Sequence, residues 1–241
     1  MPTTADAPKC FAEIGGRRIL DEILSALRNA GVDPITFIGG YRIEAVRAGY
    51  PALEFVDNPN WDTTNILGSL MCARSHMGEG FVSSYADIVY RGDAVTRLLA
   101  SEHPITVLVD TAWRARYEPR SQHPPTDGEK VIVAGGRVQR IHRDIDPALA
   151  HGEFIGVAKF TAEGAARLCA AWDDHRGRSA GGRFRGAASI GEAYMIQLLQ
   201  QMIEDGVEIA HVDIDGGYHE IDTQQDYELA RAAHAAGERW G

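Results

Sequence analysis

In the stretch GFVSSYADIVYRGDAVTRLLASEHPITVLVDT (residues 80–111), a strand pattern, a helix pattern and a second strand pattern follow one another. Residues 80–90 are rich in β-branched and aromatic side chains and lead into Asp87, which predicts a strand. Residues 93–102 carry apolar side chains at helical spacing, and residues 104–111 form an apolar run that ends at Asp110. Strands that alternate with short helices predict a mostly parallel sheet with helices on both faces.

The same alternation extends in both directions from this stretch. Further helices are predicted at residues 19–31, 63–77, 161–175, 189–206 and 224–237, and further strands at residues 34–40, 53–58 and 152–160. Residues 129–144 alternate around two glycines and predict a hairpin, and residues 207–223 predict a pair of strands.

One segment departs from this alternation. RARYEPRSQHPPTDG (114–128) is polar and proline-rich, which predicts a long functional or disordered loop. The expected architecture is a single α/β domain over residues 1–241, with a Rossmann-like mixed, mostly parallel sheet and a lid or acceptor-binding insertion around residues 112–150.

The composition is that of an ordinary globular protein, with 44% hydrophobic and 24% charged residues. The formal charge of −10 argues against a nucleic-acid partner, which requires a basic surface. No apolar run approaches the roughly 18 residues of a membrane span. Cys10, Cys72 and Cys169 are widely spaced and lack CxxC pairing, so a reduced cytoplasmic protein without a zinc site is expected.

Three aspartates follow strand patterns: Asp87, Asp110 and Asp222. Ligands of open α/β sheets bind outside the carboxyl ends of the strands, and Mg²⁺ prefers carboxylate, phosphate and water oxygens. Two of these aspartates would therefore make a site for Mg²⁺ and a nucleotide. The alternative is that each aspartate only fixes a turn or caps the next helix.

Glycines and aromatic residues supply weaker candidates. IGGY (38–41) follows a strand, where its glycines allow a close approach to a base or phosphate, or only a tight turn. Trp113, Tyr117 and Tyr194 have aromatic faces that can hold an ammonium group, or else they lie in the core. Burial in the core is less expected for Trp113, on the polar segment, than for Tyr194.

Several common motifs are absent. The chain contains no CxxC, GxSxG or GxxxxGK[ST] sequence, which excludes zinc ribbons, α/β-hydrolases and P-loop NTPases. The nine histidines show no metal-binding spacing such as HExxH and are predicted to be surface or turn residues.

The order of the motifs resembles the sugar-nucleotidyltransferase-like superfamily. PKCFAEIGGRRILDEILSALRNAGVDPITFIGGY (8–41) is similar to its PKxL-type segment, helix and GGY-ended strand. DNPNWDTTNILGSLMCA (57–73), FVSSYADIVY (81–90) and GGYHEIDTQQDYELA (216–230) are similar to its NxxSL segment, its strand-borne aspartate and its closing EIDTxxD element. More narrowly, VDTAWRARYEPRSQHPPTDGEKV (109–131) resembles the phosphocholine and phosphonate cytidylyltransferase branch.

Family members begin with a strand and a glycine-rich loop of the LAAGxGxR type before the PK segment, and neither is found ahead of Pro8. That loop normally holds the nucleotide phosphates, and its strand is central in the sheet. We therefore expect an exposed apolar sheet edge and fewer phosphate contacts. One hypothesis is that Met1 is an internal residue of a longer protein, and the other is a real departure that leaves a weak or non-catalytic protein.

The resemblance implies a reaction in which a phosphate or phosphonate attacks a nucleoside triphosphate, with CTP favoured, and pyrophosphate leaves. Asp87 and Asp222 would hold Mg²⁺, and Lys9 would offer a cation to the transferring phosphoryl group. It also implies nucleotide contacts from Gly39, Gly40, Tyr41, Asn65 and Ser69. The expected acceptor-binding residues, which would face a choline or aminoethyl group, are Asp110, Trp113, Tyr117, Glu129, Glu192 and Tyr194.

Two other functions stay open. A sugar-1-phosphate nucleotidyltransferase would use the same chemistry, and a non-catalytic binding module would explain the missing glycine-rich loop. Glu129 and Lys130 would organise a lid or form a structural ion pair. A homodimer is left open as the assembly.

Overall fold

The computed structural model describes residues 7–178 and 182–241, so Met1 lies outside the described part of the chain. Eight α-helices lie within that part: α1 (Ile19–Asn29), α2 (Ile43–Gly49), α3 (Ile66–Cys72), α4 (Asp93–Leu99), α5 (Trp113–Tyr117), α6 (Ala162–Arg178), α7 (Met195–Glu204) and α8 (Gln224–Ala235). Its strands are β1 (Glu13–Ile14), β2 (Arg17–Arg18), β3 (Thr36–Gly39), β4 (Glu54–Asp57), β5 (Gly80–Ser84), β6 (Ile88–Tyr90), β7 (Ile105–Asp110), β8 (Lys130–Ala134), β9 (Arg137–His142), β10 (Gly152–Thr161), β11 (Ala210–Ile214) and β12 (Tyr218–Glu220).

A six-stranded mixed sheet in the order β5-β10-β7-β11-β9-β8 forms the centre of the molecule. β10 is antiparallel to β5 and β7, β7 is parallel to β11, and the β8–β9 hairpin is antiparallel and continues the sheet beyond β11. Strands β5, β7, β11 and β8 consequently run in one direction, although a single neighbouring pair is parallel. The predicted α/β fold with a mixed sheet is confirmed, although fewer neighbouring strands are parallel than the sequence predicted.

Strand β7 shows why helices cover both faces of this sheet. All six of its residues are buried, and successive side chains point to opposite faces. Val107 and Val109 pack in a cluster with Leu168 of α6 and Leu198 of α7. Leu108 packs in the opposite cluster, which contains side chains of α1, α4 and α8. An apolar run without polar alternation is the pattern of a strand buried on both faces.

A smaller parallel pair, β3 and β4, lies beside the central sheet. An apolar groove of about 720 Å³ extends between this pair and β5, with residues of α1 and α3 in its walls. In the described residues, β3 is hydrogen-bonded to β4 and β5 to β10, so each has a side without a strand neighbour. The groove therefore exposes an apolar surface along the edge strand β5.

The structure divides two segments differently from the sequence prediction. Residues 80–90, predicted as one strand, form β5 and β6 with a break at Tyr85–Asp87. Residues 207–223, predicted as a strand pair, form β11 in the central sheet and β12, which pairs with β6. Gly216 and Gly217 have φ of 70° and 72° and redirect the chain between β11 and β12. Both changes of direction bring polar residues to the carboxyl edge of the sheet.

The polar segment 114–128 is also more ordered than predicted. It contains most of α5, and Pro125–Asp127 forms a 3₁₀ turn. Trp113 and Tyr117, four residues apart on one helical face, are 1% and 3% exposed, and their rings contact edge to face at 5.7 Å. Burial of these two rings fixes a segment whose average composition predicts a loop.

None of the helices in the two described ranges combines the length and apolarity required to cross a membrane.

Candidate active site

Lys9, Asp87 and Asp222 come together at the carboxyl edge of the sheet. Lys9 Nζ donates to Asp87 Oδ2 at 2.9 Å and to Asp222 Oδ1 at 2.6 Å. Lys9 begins a 3₁₀ turn, Asp87 lies in the break between β5 and β6, and Asp222 follows β12. The three residues predicted to be catalytic therefore share one site, although they are far apart in the sequence.

The charge of Lys9 is stabilised by the two carboxylates. Burial alone lowers the pKa of Lys9, but the charges and hydrogen bonds of Asp87 and Asp222 outweigh burial and raise it above its ordinary value. The ammonium group is therefore fully protonated at neutral pH. The same geometry shows that the two carboxylates already converge on a cation.

A cavity of about 260 Å³ opens beside this cluster. Its walls combine six carboxylates with aromatic rings and two basic groups. They are Asp87, Asp127, Glu129, Glu153, Glu220 and Asp222, with Tyr85, Phe154, Tyr194, Tyr218, Ile66, His123 and Arg143. We call this cavity the acidic pocket. Because carboxylates outnumber the basic groups, the acidic pocket favours a cationic group on whatever small molecule enters it.

Two of these carboxylates, Glu220 and Glu129, have pKa values well above the ordinary value of a glutamate. Burial raises the pKa of Glu220 well above its ordinary value, and the charges of Asp222 and Asp87 add to this effect. Burial also raises the pKa of Glu129 to about 7, although Arg143 opposes the increase. An entering cation would favour the charged form of both groups, which is the behaviour of carboxylates arranged to bind one.

Glu129 is held by partners from two different elements. Arg143 Nη2 donates to Glu129 Oε1 at 3.2 Å, and Tyr85 Oη donates to Glu129 Oε2 at 3.3 Å. The Arg143 guanidinium also stacks at 4.1 Å from the centre of the Tyr194 ring. Glu129 and Tyr194, both predicted to contact the acceptor, thus lie in one wall of the acidic pocket. Lys130 forms no ion pair with Glu129, because its Nζ is buried and donates to backbone carbonyls, including that of Gly128 at 3.1 Å.

Three predicted acceptor residues are structural instead. Asp110 is 1% exposed and its Oδ1 accepts from the backbone N–H groups of Ala112 and Gly216, so it fixes the turn after β7. Trp113 is buried in α5 rather than exposed on a loop. Tyr117 is also buried, and its hydroxyl donates to Glu153 at 2.6 Å behind the pocket wall. None of these three side chains is among the described residues lining the pocket, so their direct contact with an acceptor stays a prediction that this geometry does not support.

Glu192 is likewise absent from the described lining of the pocket. Its exposed carboxylate accepts a hydrogen bond from Ser189 at 3.0 Å, within the turn before α7. The ordering of this turn leaves Tyr194, two residues later, to face the pocket. Of the two residues predicted from this segment, Tyr194 lines the pocket and Glu192 does not.

The residues predicted to contact the nucleotide lie at the ends of β3 and α3. Tyr41 and Trp61 are 45% and 46% exposed, and their ring centres are 5.4 Å apart. A Cβ atom at Gly40 would lie 2.3 Å from Trp61, so glycine is required for this aromatic contact. Gly39 ends β3 directly before it.

The α3 candidates support this region from the helix side. Asn65 caps α3 by accepting from the Ile66 N–H at 2.8 Å, and Ile66 lines the acidic pocket. Ser69 Oγ accepts from Asn58 Nδ2 at 2.9 Å, and Asn58 is 2% exposed. These contacts fix the segment between β4 and α3, on which Trp61 lies.

The closing motif has a second function beyond Asp222. Thr223 and Asp226 form a capping box that begins α8, and Asp226 pairs with buried Arg120 at 3.0 Å. Burial raises the pKa of Asp226, but His123, Arg120 and Thr223 outweigh burial and lower it to about 2. The segment 114–128 is thereby attached to the element that carries Asp222.

Several lining residues were missed from the sequence. Glu220 is part of the EIDT motif and lies two residues before Asp222, so the sequence could have indicated it together with Asp222. Glu153, Arg143 and His123 carry no comparable local signal, because their partners come from distant segments. One imidazole nitrogen of His123 and one carboxylate oxygen each of Glu220 and Asp222 lie within 4.8 Å of one another. These three side chains form a second group beside Asp87 that could hold a metal ion.

Comparison with known proteins gives a consistent family. Residues 3–168 match the family described as the MobA-like NTP transferase domain. The CTP:phosphoglutamine cytidylyltransferase of Campylobacter jejuni is 28% identical, with 95% of this chain and 93% of the relative covered. The 2-aminoethylphosphonate cytidylyltransferase of Lancefieldella rimae is 24% identical, with 98% and 85% covered.

Solved structures show the same fold. The inositol-1-phosphate CTP transferase of T. maritima aligns with a TM-score of 0.70 at 21% identity, covering 96% of this chain and 90% of that one. The CTP:phosphocholine cytidylyltransferase of Streptococcus pneumoniae aligns with a TM-score of 0.69 at 17% identity, covering 97% and 92%. The resemblance inferred from the ordered motifs is confirmed.

Proposed function

Because this chain belongs to the family of MobA-like NTP transferase domains, we propose that it transfers CMP from CTP to a small phosphate or phosphonate acceptor that carries an ammonium group. Cytidylyltransferase relatives that align over nearly the whole chain support CTP as the donor. The observation that carries the proposal is the convergence of Lys9, Asp87 and Asp222 at the mouth of the acidic pocket.

The reaction requires charge neutralisation more than proton transfer. The second pKa of a phosphate monoester is about 6, so the attacking oxygen is already largely ionised at neutral pH. The obstacle is the approach of this anion to the α-phosphate of CTP and the charge that develops there. Lys9, which remains protonated, is positioned to bind phosphoryl oxygens at this point.

The donor atoms also fit Mg²⁺. Asp87 and Asp222 offer hard carboxylate oxygens that already share one cation, and Mg²⁺ usually takes one or two carboxylates together with phosphate oxygens and water. When bound, the ion would neutralise phosphate charge. Lys9 would then turn from the carboxylates to the phosphoryl group, so its side chain alternates between two sets of anionic partners.

The acidic pocket supports an acceptor with a cationic end. Its inner wall holds Glu129, Tyr85 and Tyr194, while Asp87 and Asp222 lie in its wall next to Lys9. An aminoethyl or choline group suits carboxylate and aromatic partners, and the phosphonate or phosphate suits the end near Lys9. Phosphocholine and 2-aminoethylphosphonate both have this arrangement of charges.

The test is pyrophosphate release with Mg²⁺ and CTP, using phosphocholine, 2-aminoethylphosphonate, 2-hydroxyethylphosphonate and a hexose-1-phosphate as separate acceptors. The proposal predicts release with one of the two cationic acceptors and much less with the hydroxyethyl analogue. Efficient turnover of the hexose-1-phosphate alone would favour a sugar nucleotidyltransferase. A folded chain that binds acceptor without releasing pyrophosphate would be a binding module.

A further inference from the structure

Two histidines and an aspartate converge outside the acidic pocket. His151 Nε2 lies 2.8 Å from Asp213 Oδ2, and His211 Nδ1 lies 2.7 Å from Asp213 Oδ1. One ligand atom of each residue lies within 4.8 Å of the other two. We propose that these three side chains, here called the His–His–Asp site, bind a transition-metal ion of the zinc class.

The fold fixes the three side chains from two directions. His211 and Asp213 are two residues apart on β11, so they point to the same face of the sheet. β9 pairs with β11 at Ala210, directly before His211. His151 lies in that region, and its backbone N–H donates to the Val131 carbonyl at 2.8 Å. The site therefore rests on sheet structure rather than on a free loop.

The donor set selects the class of metal. Two imidazole nitrogens with one carboxylate suit Zn²⁺, Ni²⁺ or Cu²⁺, whereas Mg²⁺ prefers oxygen ligands. The side chains of His151, His211 and Asp213 are 31%, 13% and 37% exposed, so an ion can reach them and keep water as a further ligand. Three protein ligands with an open position form a recognised type of zinc coordination.

Only a small rearrangement is needed for binding. Ligand atoms around a tetrahedral zinc ion lie about 3.4 Å apart, given metal–ligand distances of about 2.0–2.2 Å. Each imidazole now contacts a different oxygen of Asp213, at 2.8 Å for His151 and 2.7 Å for His211. If one of these oxygens is the ligand, its present contact would lengthen by about 0.6–0.7 Å and the other imidazole would turn towards the same oxygen. Partly exposed side chains on a strand and a strand start can make this adjustment by rotation alone. The ion would take the place of the protons that each imidazole now shares with the carboxylate.

The location gives metal binding a structural consequence. His151 lies two residues before Glu153, which lines the acidic pocket, and β11 leads through Gly216 to Glu220 and Asp222. An ion at the His–His–Asp site would join these two segments. We expect metal binding to raise the midpoint of thermal unfolding, since a ligand that binds only the folded state stabilises it.

The test is isothermal titration of ZnCl₂ into the full chain after chelator treatment, without nucleotide or Mg²⁺. The Asp222→Asn chain serves as parent, because this substitution weakens the separate ligand set of His123, Glu220 and Asp222. The proposal predicts one Zn²⁺ per chain. Affinity should fall by more than about 100-fold in His151→Ala and in His211→Ala, beyond the loss caused by removing a supporting residue.

The matched control is His142→Ala, because His142 also pairs with one aspartate, Asp144, but lies outside the proposed site. It should bind Zn²⁺ like its parent. If either alanine variant fails to fold in chelator, His151→Gln and His211→Gln repeat the test, since glutamine keeps a polar side chain of similar length. Parental affinity in a folded His151 or His211 variant, or no Zn²⁺ binding by the parent, would overturn the proposal.

Discussion

The backbone N–H of Ile221 donates to the carbonyl of Asp87 at 2.9 Å. This hydrogen bond extends the antiparallel pairing of β12 with β6 to the point where β12 ends and β6 begins. Asp222 is consequently fixed beside Asp87, and Lys9 can contact both carboxylates. The position of the proposed metal and phosphate site thus follows from strand pairing.

Lys9→Met removes the cation from this site. We expect turnover to fall by about 10²- to 10³-fold, since loss of one group that stabilises transition-state charge costs about this much. The substitution also leaves Asp87 and Asp222 facing each other without their ammonium partner. The midpoint of thermal unfolding should therefore drop and should recover with Mg²⁺ more strongly than in the unmodified chain. An equal Mg²⁺ response in both proteins would contradict this account of Lys9.

Glu129→Gln tests recognition of the acceptor cation. The pKa of Glu129 is raised to about 7, so deprotonation between pH 6 and pH 8 should lower the KM for 2-aminoethylphosphonate. The variant should lose this pH dependence and show a KM about 10-fold higher at pH 8. Kinetics with 2-hydroxyethylphosphonate correct for titration of the phosphonate itself.

Glu192→Gln is the matched control for this experiment, because Glu192 is exposed and bonded to Ser189. It should leave KM and its pH profile unchanged. If both variants raised the KM for 2-aminoethylphosphonate to a similar extent, the general acidity of the protein, rather than Glu129, would attract the acceptor.

The raised pKa of Glu129 also has a consequence for folding. In the unfolded chain this carboxyl ionises near its ordinary pKa, so the folded protein holds more protons between that value and about pH 7. The contribution of Glu129 to stability therefore falls as pH rises through this window. Glu129→Gln should flatten this part of the stability profile, as urea unfolding at several pH values would measure.

Tyr41 and Trp61 are expected to contact the cytosine base. Their exposed rings lie 5.4 Å apart at the end of β3, and stacking of a base on an aromatic ring contributes about 1–3 kcal/mol. Trp61→Ala should raise the KM for CTP by about 10-fold and leave the acceptor KM unchanged. Leu149→Ala, at another exposed apolar residue, is the control. An unchanged KM for CTP in Trp61→Ala would remove this ring from the nucleotide site.

Asp226→Ala tests the structural part of the closing motif. Asp226 and Arg120 are buried together, and removal of one partner of a buried pair costs about 3–5 kcal/mol. For a chain of this length, the midpoint of thermal unfolding should fall by about 10 °C at neutral pH. Glu228→Ala, at an exposed position on the same helix, should change it little. Because the pKa of Asp226 is lowered to about 2, the difference should shrink as pH falls from about 4 towards 2.

Most of the fold could be predicted from the sequence because the patterns that indicate its helices and strands are local. Residues 105–109 form one largely apolar run, and residues 19–29 repeat apolar side chains on one helical face, so both elements can be recognised without their distant partners. The ordered motifs likewise indicated Lys9, Asp87 and Asp222, which the structure brings together.

The features that could not be predicted from the sequence depend on contacts between distant segments. The five-residue helix α5 is too short for its periodicity to stand out in a polar segment, so the burial of Trp113 and Tyr117 was missed. Glu153 contacts Arg116 and Tyr117, which lie on α5, far from Glu153 in the sequence. Similarly, His211 lies two residues before Asp213 on β11, but no local pattern places His151 beside them, because His151 comes from a distant segment just before β10.

The most direct test of the proposed mechanism compares pyrophosphate release by Asp222→Asn and Asp215→Asn, with Mg²⁺, CTP and the preferred acceptor. Both substitutions neutralise an exposed aspartate in the same part of the chain, but only Asp222 contacts Lys9. We predict that Asp222→Asn lowers turnover by at least about 10³-fold in a folded protein, while Asp215→Asn retains it. Near-normal turnover by folded Asp222→Asn would contradict the assignment of this carboxylate to catalysis.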